Sequence, residues 1–174
     1  MTIETAPRGV RLRFLPIDDA LASVAQSGVG AFAAAYGVRV HDFDFLHRQV
    51  VEPNIAHLRR MPRAAPFGAY LAVDLADSQV VGTCAFVAGP ADRAVEIAYF
   101  TLPPFEGRGI ATAMALELVR IARDSRAVDV VHAHTLREAN ASTRVLARAG
   151  FGGHRDLVHP EDGPVWRFEL PVGA

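Results

Sequence analysis

Residues 95–111 read VEIAYFTLPPFEGRGIA, and this stretch decides the fold. Its first part has the residue pattern of a β-strand, which two consecutive prolines then end because neither has a backbone N–H group. Gly107 and Gly109 allow the tight turn that follows, and a helix is predicted from Ile110 to about Asp124. The unpaired N–H groups of its first turn and the positive end of its dipole suit phosphate oxygens. We therefore expect the ligand to be a small phosphorylated molecule.

Two common phosphate-binding loops fit these residues poorly. A Walker A loop ends in Gly-Lys-Ser or Gly-Lys-Thr, and the chain has no such ending. The dinucleotide fingerprint G-x-G-x-x-G matches Gly107 and Gly109 but meets Thr112 at its third glycine, although Asp129 lies at a suitable distance for a ribose contact. That fingerprint also follows an early strand, whereas this loop follows several strands. A dinucleotide-binding oxidoreductase therefore stays a hypothesis, and it ranks below the two hypotheses introduced below.

The loop instead fits the pattern Q/R-x-x-G-x-G/A, with Glu106, Gly109 and Ala111 at its first, fourth and sixth positions. Residues 96–100, EIAYF, resemble the strand E-I-G-Y-W, and residues 140–151, NASTRVLARAGF, resemble N-x-x-S-x-R-V-L-E-K-L-G-F. With these segments the chain resembles the GNAT superfamily of acyl-CoA-dependent N-acyltransferases. Within that superfamily it resembles the branch of ribosomal-protein-alanine N-acetyltransferases.

The resemblance, which covers about residues 70–168, implies direct attack of an amine on acetyl-CoA in a ternary complex. It implies a catalytic role for Glu96 and Ser142. The residues that it implies at the cofactor are Phe100, Thr101 and Leu102 along the pantetheine, Glu106, Gly107, Arg108, Gly109, Ile110 and Ala111 around the pyrophosphate, and Asn140 at a pantetheine amide.

The chain departs from the superfamily pattern in three ways. When the segments are aligned on Ser142, the Asn of the pattern falls on Ala139, so Asn140 is displaced by one residue. Glu106 replaces the usual Gln or Arg and puts a carboxylate beside the expected pyrophosphate. Leu146 stands where many members carry a Tyr that protonates the departing thiolate, although this branch often lacks that Tyr. These departures keep open a second hypothesis, a noncatalytic acyl-CoA-binding or sensor domain.

Three candidate site residues each have a second interpretation. Partial burial would raise the pKa of Glu96, so that its carboxylate could take a proton from the ammonium through water, but a salt bridge or a substrate contact fits equally well. Ser142 is either the thiolate contact or the N-cap of the following helix. Asn140 either bonds the cofactor or stabilises a local turn.

The histidines raise the question of a metal site. His132 and His134 are two residues apart on a predicted strand and therefore share a face. His154 and Glu96 are candidates for a third ligand, but neither HExxH nor a cysteine-rich pattern occurs. We expect partly buried histidines and no bound metal. Cys84, in an apolar hairpin, is expected to be a packed small side chain.

The composition is that of an ordinary globular protein. Its 174 residues suffice for one domain with a substantial core, so we assign residues 1–174 to a single domain. A formal net charge of -1 argues against a nucleic-acid binder with a broad basic surface. A single cysteine, no recognisable signal peptide and no apolar run of membrane-spanning length predict a cytoplasmic protein without a membrane partner.

The order of predicted elements indicates an α/β (α+β) fold. We expect a mixed, mostly antiparallel twisted sheet of about seven strands, flanked by about four helices, which agrees with the GNAT-like acyltransferase fold that the resemblance implies. In the helix after the loop an apolar stripe should face the sheet, while Glu117, Arg120 and Arg123 should face solvent.

The acceptor is expected to be a primary amine, either a protein N-terminus or a small molecule. It would lie between the helical segment 28–63 and the last hairpin. The acidic residues that could attract a cation there are Asp42, Asp44, Glu161 and Asp162, although surface solvation explains each of them too. The sequence leaves open the identity of the acceptor and whether the chain is a monomer or a homodimer.

Overall fold

The computed structural model describes residues 2–3, 10–160 and 162–173. Within these residues, eight strands form one sheet in the order β1-β2-β3-β4-β5-β6-β8-β7. The strands are β1 (Thr2–Ile3), β2 (Leu12–Pro16), β3 (Ala69–Asp74), β4 (Gln79–Phe86), β5 (Ala94–Thr101), β6 (Val130–Leu136), β7 (His154–His159) and β8 (Gly163–Pro171). The predicted mixed sheet is confirmed, and the strand beyond the predicted seven is the two-residue β1.

Helical segments join these strands and pack against one another and against the sheet. The described part of the chain has one short 3₁₀ turn (Pro103–Phe105) and five α-helical segments, one more than predicted. They are α1 (Asp19–Gln26), α2 (Val29–Tyr36), a continuous segment of α3 (Phe43–Phe45), a π-helical turn (Leu46–Val51) and α4 (Glu52–Arg60), then α5 (Ile110–Ser125) and α6 (Ala141–Arg148). None of the helices formed by these residues is long and apolar enough to cross a membrane.

Helix α5, which follows the predicted phosphate loop, contributes several side chains to the core. The side chains of Ile110, Met114 and Leu118 are almost fully buried, as the apolar stripe predicts. The predicted outward position of Glu117 is wrong, since this residue is only 4 % exposed. Its two carboxylate oxygens accept bonds of 3.0 and 2.8 Å from the Arg120 guanidinium. Both the sheet and α6 pack on α5, so its buried face is wider than the apolar stripe.

The feature that positions the site is a gap between β5 and β6. These two strands form the one parallel pair among the described strands. They pair only over Ala94–Glu96 and Val130–His132, although β5 continues to Thr101 and β6 to Leu136. Beyond Glu96 the strands diverge, and the edge of β5 that faces β6 has no strand to pair with. Unpaired backbone groups along such an edge are ready to bind an extended ligand.

Candidate active site

A cavity of about 310 Å³ opens in the gap where β5 and β6 separate. We call it the strand-gap cavity. Its polar lining residues come from β5, β6, α6 and the β7–β8 hairpin, and they are Glu96, Tyr99, His134, Ser142, His159 and Asp162. The sequence predicted Glu96 and Ser142 as catalytic residues, and the structure brings both to this cavity.

A carboxylate–imidazole pair lies on one wall of the strand-gap cavity. Glu96 Oε1 is 2.8 Å from His134 Nδ1, and Glu96 Oε2 is 3.7 Å from His132 Nε2. The His134 and Glu96 side chains are only 9 % and 22 % exposed. His134 Nε2 is buried and has no hydrogen-bond partner among the described residues. If Nδ1–H donates to Glu96, Nε2 carries a lone pair that is available to accept a proton.

The surroundings of Glu96 change the role that the sequence suggested for it. Burial raises the pKa of this carboxyl, but bonding to His132 and the positive charge that His134 can carry outweigh burial, and the pKa falls below its ordinary value. The predicted raised pKa is therefore wrong in direction. A carboxylate that stays ionised is a poor proton acceptor, but it orients an imidazole well and stabilises the imidazolium form.

His159, on the hairpin, completes the polar wall and was not predicted. It lies 3.1 Å from Asp162, and its ring centre is 5.2 Å from that of His134. Glu96, His134 and His159 each offer a ligand atom within 4.8 Å of the other two, a set that could hold a metal ion. Two of these three groups, Glu96 and His134, are already hydrogen-bonded to each other. Of the two candidates for a third ligand beside His132 and His134, Glu96 contacts both histidines, whereas His154 stacks on Trp166, with 3.9 Å between ring centres.

A second cavity, of about 420 Å³, lies against the glycine-rich loop and the N-terminus of α5. We call it the loop cavity. Gly107 and Gly109 line it with φ angles of 74° and 82°, left-handed conformations that glycine adopts without strain. The N–H groups that begin α5 at Ile110 and Ala111 have no carbonyl four residues back in the helix. The backbone of the loop cavity therefore suits phosphate oxygens, at the loop for which the sequence predicts phosphate binding.

Side-chain charge in the loop cavity comes from helix α6. Arg144 and Arg148, one turn apart, both line this cavity. The predicted contribution of Arg108 is not seen, because its guanidinium lies over the Phe105 ring, 5.4 Å from the ring centre, and donates to the Pro104 carbonyl. A pair of basic residues spaced i, i+4 was the sequence signal that could have identified the two arginines.

Glu106 also lines the loop cavity and is exposed, so its carboxylate has access to solvent. The departure from the superfamily pattern at this position is therefore accompanied by compensating positive charge within the same cavity.

Of the three residues predicted to contact the pantetheine through their backbone, only some have backbone groups that face the gap. The Glu96 carbonyl and the Leu102 N–H group bond to the β4 chain, each at 2.9 Å, and the Leu102 carbonyl accepts from Phe105. In an antiparallel ladder both backbone groups of a residue point to the same side, and that side alternates from one residue to the next. Phe100, two residues before Leu102, therefore also pairs with β4, and the backbone of Thr101 faces the gap. Leu102 is buried and does not line the cavity, so the structure does not support a contact from it.

Thr101 has a polar group that no described residue satisfies. Its hydroxyl is buried and has no hydrogen-bond partner among the described residues, although Thr101 lines the loop cavity. Buried polar groups are almost always hydrogen-bonded, so this hydroxyl fits a polar group of a bound cofactor. The side chain of Phe100, 42 % exposed, lines the same cavity.

The start of α6 reverses the expected roles of two residues. Asn140 is the N-cap, and its side-chain oxygen accepts from the Thr143 N–H group at 3.1 Å while Thr143 Oγ1 accepts from the Asn140 N–H group. The cap interpretation of Ser142 is therefore wrong. Asn140 lines neither cavity, and its side-chain oxygen is occupied locally, so the predicted pantetheine contact has no support. Ser142 lines both cavities.

A phosphate site that leads along an unpaired strand edge to an acid–base pair is the arrangement of an acyl-CoA-dependent transferase. The acetyltransferase (GNAT) domain family matches residues 11–152, more than half of the chain, and the chain belongs to this family. It is an N-acetyltransferase, and acetyl-CoA is its acetyl donor. The predicted family is confirmed, and the dinucleotide-binding hypothesis is not supported.

Solved structures share the fold over nearly the whole chain. RimL, a ribosomal L7/L12 alpha-N-protein acetyltransferase in complex with coenzyme A, is 17% identical with a TM-score of 0.62, over 99% of this chain and 98% of that chain. Ribosomal-protein-S5-alanine acetyltransferase from Vibrio fischeri is 15% identical, with a TM-score of 0.59 over 99% and 97%. The aminoglycoside acetyltransferase AAC(6')-Ib, in complex with coenzyme A, is 17% identical, with a TM-score of 0.59 over 94% and 95%. No curated protein matches the sequence.

Proposed function

We propose that this acetyltransferase acts on a primary amine, carried by a protein N-terminus or by a small molecule, through direct attack in a ternary complex. The observation that carries the proposal is the 2.8 Å bond between Glu96 and His134 at the wall of the strand-gap cavity, with His134 Nε2 left unpartnered in the described residues. An ammonium must lose a proton before it attacks a thioester, and this imidazole can accept that proton directly or through one water.

The charge of the strand-gap cavity supports a cationic acceptor. Glu96 and Asp162 contribute carboxylates to its lining, and no Lys or Arg is among the described lining residues. Of the other acidic residues predicted to attract a cation, Asp42 caps α3 and Asp44 pairs with Arg48. Glu161 lies outside the described residues. Among the structures with the same fold, names refer to acetylation of ribosomal proteins and of an aminoglycoside.

Each remaining site residue receives a role consistent with its position. The backbone of residues 107–111 would bind the pyrophosphate, with Arg144 and Arg148 adding charge. Thr101 would bond the pantetheine with its free hydroxyl and its backbone. Ser142, at the edge of both cavities, would contact the departing sulfur. The buried thiol of Cys84 fits a reducing, cytoplasmic location.

The chemical step follows from these positions. The amine gives up a proton to His134, and Glu96 stabilises the resulting imidazolium. The nitrogen lone pair then forms a bond to the carbonyl carbon, the C–S bond breaks, and its electron pair goes to sulfur. The nitrogen loses a second proton to water as the amide forms, and the thiolate takes up one proton from solvent. The products are the acetylated amine and CoA.

The experiment is a CoA-release assay with a panel of acceptors. The panel contains peptides with different N-terminal residues, polyamines, an aminoglycoside and free amino acids, and mass spectrometry detects the acetylated product. We expect at least one amine to be acetylated and His134→Gln to abolish most of this turnover, while His154→Gln, a histidine change outside the cavity, retains it. Tight CoA binding without acetylation of any amine in the panel would instead support the noncatalytic acyl-CoA-binding hypothesis.

A further inference from the structure

The strand-gap cavity and the loop cavity meet at two side chains. Among the described residues that line the cavities, only Tyr99 and Ser142 line both. The inference drawn from this rests on the proposed function, in which phosphates occupy the loop cavity and the amine occupies the strand-gap cavity. The thioester must then lie where the cavities meet, so that the sulfur departs beside Tyr99 and Ser142.

The Tyr99 hydroxyl is positioned to turn toward that sulfur. Its hydrogen bond to the Ser142 backbone carbonyl is 3.4 Å long, well beyond the usual length of about 2.7–2.8 Å for an O–H donor. Such a weak bond is easily exchanged for one to a better acceptor. An anionic sulfur is a better acceptor than a carbonyl oxygen, because charge strengthens a hydrogen bond.

Helix α6 supplies no phenol of its own at this point. Leu146, at the position where many superfamily members carry a Tyr, is fully buried in the core. The hydroxyl groups at the meeting point are therefore those of Tyr99, on β5, and Ser142, on α6.

We propose that the Tyr99 hydroxyl donates a hydrogen bond to the CoA sulfur as the C–S bond breaks, with Ser142 beside it. The electron pair of the C–S bond goes to sulfur, and the thiolate leaves in contact with the phenol. One proton of the ammonium passes to His134, which returns it to solvent, and the nitrogen loses a second proton to water as the amide forms. The thiolate takes up one proton from solvent after release, so each turnover releases one proton. Protons and charge therefore balance without any further reactant.

Burial makes this phenol a suitable donor. Burial raises the pKa of Tyr99 to about 12, so the hydroxyl keeps its proton at every pH at which the enzyme would work. A partly dry site also strengthens a hydrogen bond to an anion, because little water competes for it.

The first test is kinetic. Tyr99→Phe keeps the ring and its packing and removes only the donor. We expect kcat with acetyl-CoA to fall about tenfold to a hundredfold, the effect of losing a hydrogen bond to a charged group, while the Kd of acetyl-CoA changes less than about threefold. Tyr36→Phe, on α2 and outside both cavities, is the matched control and should retain full kcat. A Tyr99→Phe enzyme with the same kcat as wild type would overturn the proposal.

The second test needs no acceptor and no turnover. In the binary complex with CoA, the ultraviolet absorbance of the thiolate reports the pKa of the bound thiol. Tyr99→Phe should raise that pKa by about one unit, because a donor that stabilises the thiolate is lost. Burial raises the pKa of the Cys84 thiol, so the protein's own cysteine does not ionise in the same range.

The outcomes separate this inference from the proposed function. If Ser142→Ala shifts the pKa of the bound thiol and Tyr99→Phe does not, the serine is the donor and the inference about Tyr99 is wrong. A wild-type protein that binds CoA and acetylates no amine would refute the proposed function, yet the thiol titration would still decide whether Tyr99 contacts the sulfur. A wild-type protein that does not bind CoA would refute both.

Discussion

The Glu96–His134 pair should act as one catalytic unit, and replacing Glu96 by Gln tests this. The substitution keeps the shape of the side chain and removes its charge. Two unit charges about 4 Å apart interact by about 4 kcal/mol at an effective dielectric constant of 20, which sets an upper limit. Hydrogen bonds to charged groups contribute about 1.5–3 kcal/mol, and the pair is largely shielded from solvent. We therefore expect kcat to fall about tenfold to a hundredfold.

The double variant gives the sharper measurement. His134→Gln removes the proton acceptor and should lower kcat by about 10²–10⁴-fold. Since Glu96 acts through His134, adding Glu96→Gln to this variant should cost little more. The assay compares kcat and the Kd of acetyl-CoA for the two single variants, the double variant and Glu138→Gln, an exposed Glu-to-Gln control that lines neither cavity. If the loss of kcat in the double variant equalled the product of the losses in the two single variants, Glu96 and His134 would act independently and the prediction would be wrong.

The pH profile separates the two groups. Because the pKa of Glu96 lies below its ordinary value, the carboxylate is already ionised throughout the range in which acetyl transfer is measured. Glu96→Gln should therefore leave an acidic limb in place, whereas His134→Gln should remove it. All profiles must use one acceptor, because the amine itself titrates. If Glu96→Gln lost the acidic limb and His134→Gln kept it, Glu96 and not His134 would be the direct base.

Three further predictions concern the cofactor site and the sheet. Arg148→Gln should weaken CoA binding by about threefold to tenfold and reduce its dependence on salt, measured by calorimetry at two ionic strengths. Glu106→Gln should change the same Kd by less than about threefold, or ~0.65 kcal/mol, because its exposed charge is screened, and a large gain that salt removes would support the noncatalytic alternative. Gly82→Ala should destabilise the fold by about 1–3 kcal/mol, because its Cβ would lie 2.7 Å from the Phe100 carbonyl oxygen. The control Gly30→Ala, in α2 with nothing within 4 Å of the new Cβ, should raise the unfolding free energy in denaturant by about 0.5–1 kcal/mol.

The parts of the fold that could be predicted carry strong local signals. The prolines after Thr101 and the glycines before Ile110 bracket the phosphate loop, and α5 was predicted over residues 110–124 where the structure has Ile110–Ser125. Asp18, a residue type that favours helix N-caps, directly precedes α1 and begins it by accepting a bond from the Leu21 N–H group. Each of these signals acts within a few residues of itself, so no knowledge of the tertiary structure was needed.

One error is local, because Asn140 and Ser142 are both good helix caps and the sequence gives little reason to prefer one over the other. The other errors arise where two elements distant in sequence meet. The burial of Glu117 depends on the packing of the sheet and α6 around α5. The pKa of Glu96 depends on the register that pairs it with His132, which follows from a crossover through α5 and cannot be read from either strand alone.

Side chains along β5 alternate between the two faces of the sheet, and this alternation separates the group proposed to accept the proton of the amine from the group proposed to contact the sulfur. Glu96 lies on the face of the sheet that also carries His134, whereas Tyr99, an odd number of residues away, points to the opposite face and reaches α6. The gap opens the sheet between these two faces, so both side chains reach one cavity from opposite sides. A group that removes the proton of the amine is thereby separated from a group that stabilises the sulfur. Divergence of the strands after Glu96 therefore makes the site asymmetric, with the proposed proton acceptor and the proposed donor to sulfur on opposite faces of the sheet.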